Sequence, residues 1–124
     1  MTLLIDTSHP QVRVALVESG QAVTMREWEG KGRLSAALLE EIESLLTSQN
    51  LTFTDIDRVA VHRGGPQSSF TTLRAGIVLG SLLAEATGVE LIQMEGESIE
   101  EMAQEAGTSK SVQIIEPKYT SPSV

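Results

Sequence analysis

Residues 70–87, FTTLRAGIVLGSLLAEAT, constrain this fold more than any other stretch. At 3.6 residues per turn, Leu73, Ile77, Val78, Leu79, Leu82 and Leu83 spread over most of a helix circumference. Gly76, Gly80 and Ala84 fall four apart and draw a stripe of small residues down one side. Glycine costs about 1 kcal/mol relative to alanine inside a helix. Two on one stripe call for a close neighbour, either a sheet beneath or another helix. A helix apolar all round has to be covered all round, and one sheet covers one side. The remaining cover comes either from a second polypeptide or from residues 98–106 and the tail. Four or five such side chains left in water, each worth about 1.5–3 kcal/mol when buried, would form a patch of the interface kind. In a chain this short the second polypeptide is the favoured source.

The rest of the chain supplies one sheet. TLLID (2–6), VRVALV (12–17), QAVTMREW (21–28), RVAVH (58–62) and ELIQM (90–94) read as strands, with Ser19-Gly20 as a tight hairpin turn. VQII (112–115) reads as a last short strand. Lys31-Gly32 breaks the pattern, and Leu34, Leu38, Ile42 and Leu45 then recur at helical spacing over 33–49, with Leu39 and Leu46 off that stripe. Gly88 ends the helix over 70–87, and Ser98 with Glu101 opens a third helix over 98–106 as a capping box. Three consecutive strands followed by alternating helix and strand predict an α/β domain with a mixed five-stranded sheet of the ribonuclease H-like kind. The domain is expected over 1–106, with a linker and Pro/Ser-rich tail over 107–124.

Composition removes several function classes. Nine basic residues against 17 acidic ones, net charge −8 and no basic run, argue against direct nucleic-acid binding by the chain alone. There is no cysteine, hence no disulfide and no cysteine-ligated metal, which fits a cytoplasmic location. MTLLIDTSHP lacks the basic start and apolar length of a signal peptide, and no apolar run is long enough to cross a bilayer.

Three motifs carry a family resemblance: LLIDTS at the start, LSAALLEEIESLL in the first helix, and RGGPQSSFTTLRAGI leading into the second. On these the chain resembles the TsaB (YeaZ) family, the non-catalytic partner in bacterial tRNA threonylcarbamoyladenosine modification. The similarity runs to about Ala106, and IIEPKY is similar to the closing strand of full-length members. It departs in having Leu34 where the family opens its helix with histidine, extra residues after Gly64, and Thr72 in place of a glycine. GTSKS (107–111) stands where the family carries a second, related half. The resemblance implies one half of an actin-like (ASKHA) fold and a heterodimer with a TsaD-type catalytic subunit through helices 33–49 and 70–87. It also implies contact with a TsaE-type ATPase, no catalysis by this chain and no cofactor. Interface residues on this reading are Leu38, Leu39, Ile42, Leu46, Gly76, Leu79, Gly80 and Leu83, and Gly80→Leu is expected to abolish pairing without unfolding the domain. The alternatives are a self-associating homodimer without a modification role and a remnant nucleotide-binding protein.

Asp6, Thr7 and Ser8 are the candidates for a remnant phosphate loop, against the plainer reading of an Asx-type turn at a strand end. A two-metal nuclease site needs converging carboxylates, and strand 58–62 instead ends in His62-Arg63. His9 and His62 lack metalloprotease spacing, and Ser68 and Ser69 lack a nucleophile elbow. Ser69 is better placed to cap the helix that follows.

Overall fold

The computed structural model describes residues 1–30, 34–65 and 68–118, without the side chains of residues 34–36 and 70. The break expected at Lys31-Gly32, the Pro66-Gln67 part of the loop and the tail from Tyr119 lie outside the described residues. Strands β1 (Thr2–Asp6), β2 (Gln11–Glu18) and β3 (Gln21–Glu29) form an antiparallel meander. Ser19 (φ 54°) and Gly20 (φ 76°) are both left-handed, which gives the two-residue hairpin a twist that matches its strands. Helix α1 (Leu34–Ser48) leads to β4 (Arg58–His62), parallel to β1, and helix α2 (Phe70–Thr87) leads to β5 (Glu90–Met94), parallel to β4. Helix α3 (Ile99–Thr108) is followed by β6 (Ser111–Val112), antiparallel to β5.

The sheet runs β3-β2-β1-β4-β5-β6, so it has six strands where five were expected. The added strand is two residues long rather than the four predicted over 112–115. Ile115 leaves the ladder because its side chain is buried in the core. Beyond it, Glu116 N–H donates to Gln93 Oε1 (2.8 Å) and the Glu116 carbonyl accepts from Arg63 Nε (2.8 Å).

Alternation along the strands divides the apolar residues between two faces. Leu3, Ile5, Val12, Val14, Leu16, Val59 and Val61 point to the side covered by α1 and α2. Leu4, Ala15, Val17, Ala60, Ile92 and Met94 point to the other, where Met102, Ala103 and Ala106 of α3 meet them. Helix α3 therefore lies across the sheet from α2 and cannot cover it. The tail does part of that work, since Val112 and Ile115 join the α2 core.

The small-residue stripe of α2 faces inward. A side-chain carbon on Gly76 would overlap Thr7, and one on Gly80 would overlap Val61. Leu73 and Ala84 are buried on the same side, while Val78 is 48% exposed and Leu82 57% exposed on the other. This corrects the expected interface. Gly76 and Gly80 seat the helix on its own sheet, and Leu38, Ile42 and Leu46 are core residues of this chain. Leu39, Leu79 and Leu83 are half-buried at the flanks. Ser69 caps the helix by accepting from Thr72 N–H (3.3 Å), and Gly88 closes it in the left-handed conformation.

The packing reverses the expected behaviour of Gly80→Leu. Overfilling a tight contact costs about 1–3 kcal/mol for a few added carbons, and here a whole side chain is forced between helix and strand. Gly80→Leu should abolish the cooperative thermal transition followed by circular dichroism. Leu82→Ala, on the open side, should change stability by no more than about 0.5 kcal/mol.

Candidate functional site

Ligands of open parallel sheets collect at the carboxyl ends of the strands, here the ends of β1, β4 and β5. Asp6 ends β1 and is fully buried, and Arg13 of β2 is its cross-strand partner in register. Asp6 Oδ2 accepts from Arg13 Nε (2.9 Å) and from the Arg13 terminal nitrogen (2.7 Å). Asp6 Oδ1 accepts from Ser8 N–H (3.0 Å) and from the Ser8 hydroxyl. The Asx-type turn anticipated as the plainer reading is thus present, and Arg13 completes it. The signal in the sequence was a pair of opposite charges at facing ends of two adjacent strands, seven residues apart.

Thr7 is buried with its hydroxyl on the Leu73 carbonyl (3.4 Å), so it belongs to the seat of α2. Ser8 is buried as well, and His9 Nδ1 lies 2.9 Å from its Oγ. A nucleophilic serine needs an accessible hydroxyl that gives its proton to a base. This hydroxyl donates to Asp6 and faces the interior. The candidates Asp6, Thr7 and Ser8 do sit together, but a metal-bound phosphate finds both oxygens of Asp6 already accepting, Oδ1 from Ser8 and Oδ2 from Arg13. Among the described residues no group of three histidine, cysteine or acidic side chains converges as a metal site. The nucleotide reading does not fit these residues.

His62 closes the same end. Its Nδ1 accepts from Gly64 N–H (2.9 Å), which leaves Nε2–H to donate to the Gly96 carbonyl (2.9 Å). Glu105 of α3 accepts from Gly96 N–H (2.8 Å) and Glu95 N–H, while the Gly65 N–H donates to Ser68 Oγ (2.8 Å). A depression of about 430 Å³ remains here, bordered by Ser8, His9, His62, Glu95, Glu97 and Lys118 among others. Its backbone donors at Ser8, Gly64, Gly65 and Gly96 already have partners within the chain.

A second candidate surface is the outer side of α2. Thr71, Arg74, Ala75, Val78, Leu79 and Leu82 line a shallow apolar trough of about 410 Å³. Helix α1 packs beside α2 and shows solvent the acidic edge Glu40 and Glu43. The trough offers breadth and greasy area with few directional groups, the chemistry of a helix-docking surface.

No family model matches the chain, and no curated protein matches it. Among solved structures it is similar to YeaZ from Pseudomonas aeruginosa, with TM-score 0.67 and 26% identity over 76% of this chain and 43% of that one. A Pseudomonas aeruginosa protein described as uncharacterised, with similarity to peptidase YeaZ, gives TM-score 0.68 and 26% identity over 76% of this chain and 42% of that one. The fold is YeaZ-like, and the chain spans less than half the length of these relatives.

His62 ties two loops, and removing it leaves a backbone N–H and a carbonyl without partners. His62→Leu should cost about 2–6 kcal/mol in urea unfolding at neutral pH, from two groups at about 1–3 kcal/mol each. His62→Gln, which keeps a donor for Gly96, should cost less.

Proposed function

We propose that this chain is a non-catalytic subunit of the tRNA threonylcarbamoyladenosine system, docking on and supporting a TsaD-type catalytic subunit. The observation that carries this reading is the open apolar side of α2, displayed on a YeaZ-like fold. A supporting subunit needs a surface, and the carboxyl end of the sheet gives its polar groups to the chain itself. Metal, nucleotide and tRNA contacts would then come from the partner, in keeping with a chain of net charge −8. A TsaE-type ATPase would join the same assembly, and the complex would work in the cytoplasm. No helix of the described residues is long and apolar enough to cross a membrane.

The packing revises which residues would touch the partner. Val78 and Leu82 lead, Ala75 and Leu79 lie beside them, and half-buried Leu39 and Leu83 form the margin. Burying Val78 and Leu82 supplies about 1.5–3 kcal/mol each. A charge at either position would have to be desolvated on docking.

Light scattering after size exclusion should show a one-to-one complex when the chain is mixed with the TsaD-type protein of its own organism. Leu82→Glu or Val78→Glu should weaken that complex at least about tenfold, equivalent to 1.4 kcal/mol, while the melting temperature moves little. A reconstituted mixture lacking only its TsaB-type subunit should regain tRNA modification on addition of the wild-type chain. A chain that pairs with itself and ignores the TsaD-type protein would establish the homodimer instead.

A further inference from the structure

We propose that the carboxyl end of the sheet is a cation site whose cation is built into the chain: the Arg13 guanidinium holds the place against Asp6 that a dissociable ion would take, and its reach to Glu97 fastens the entrance of α3. The inference does not rest on the proposed partner role.

A fully buried carboxylate is costly unless it is paired and hydrogen-bonded. Asp6 meets both conditions from within. Its four acceptor positions take Ser8 N–H, Ser8 Oγ–H and two nitrogens of one guanidinium. Two nitrogens of the planar guanidinium converge on Oδ2, a fixed pair of donors, whereas a lysine would offer one point charge. Register decides the placement, since Asp6 and Arg13 are direct neighbours across β1 and β2. The terminal nitrogen on Asp6 also donates to the Glu97 carbonyl (3.3 Å), one residue before Ser98, the N-cap of α3. Three side chains from three elements thereby hold the β5–α3 loop: Arg13 at Glu97, His62 at the Gly96 carbonyl, and Glu105 at the Glu95 and Gly96 N–H groups. Without the guanidinium, Asp6 Oδ2 and the Glu97 carbonyl would face the vacated volume, an all-oxygen pair of the kind that receives cations.

The test is chemical rescue. Arg13→Ala should lower the melting temperature by roughly 10 °C, the scale expected for breaking a buried ion pair in a domain of this size. Methylguanidinium chloride at about 20 mM, binding the folded state selectively, should restore at least half of that loss. Tetramethylammonium chloride at the same concentration should restore none. The doubly neutral Asp6→Asn/Arg13→Gln variant should melt closer to the wild type than Arg13→Ala, because no charge is left stranded. It also keeps the test available if Arg13→Ala does not fold. Wild-type protein should give no heat on titration with Mg²⁺ and ATP. Wild-type-like melting of Arg13→Ala, equal rescue by both salts, a double variant no better than the single one, or nucleotide heat from the wild type would each overturn the proposal.

Discussion

Two side chains that are not there set the geometry of this molecule. At Gly76 and Gly80 the backbone of α2 comes down onto Thr7 and Val61, closer than any residue with a β-carbon would permit. The helix sits deep, so Leu73 and Ala84 on the same side are buried, and the larger residues are displaced to the flanks and the top. Thr7 lies in the loop that leaves β1 and bonds the Leu73 carbonyl, so the same contact that seats the helix also fixes the residue beside Asp6. Helix seat and strand end are therefore one packing unit.

The inward turn of the glycines explains why the strands are legible in the sequence and the direction of the small-residue stripe is not. Period-two alternation separated two faces without knowledge of the fold, because each inward residue finds a neighbour on the adjacent strand whichever layer lies above. A small-residue stripe lacks that property. It demands close approach but is equally satisfied by a sheet or by a partner helix, and only the position of Val61 and Thr7 decides. VQII, with three apolar residues of four, reads as strand to residue 115, yet Ile115 serves the core instead of the ladder. Ser69, Gly88 and Ser98 were legible, since caps act through their own neighbours in the chain.

Asp6 shows the complementary failure. DTSHP permits both a phosphate loop and a closed turn, and the deciding residue is Arg13, on the other side of that loop. Register across β1 and β2 pairs them, since Thr2 opposite Val17 brings Asp6 opposite Arg13. His62 escaped for a different reason. Its partners Gly64 and Gly96 offer backbone groups, which carry no compositional signature.

These two regions settle differently with water, and that difference directs the functional reading. At the carboxyl end, Asp6, His62 and the backbone N–H groups of Ser8, Gly64, Gly65 and Gly96 are matched within the chain, so a polar ligand would have to break those bonds in order to use them. On α2 the trough is mostly hydrocarbon, with Thr71 and Arg74 as its polar members, and covering Val78 and Leu82 breaks no hydrogen bond. A small molecule covers little of a shallow trough, because affinity without directional contacts depends on area removed from water. A helix laid along Val78 and Leu82 would remove that area along several turns. Such a surface is better suited to holding another protein than to turning over a substrate.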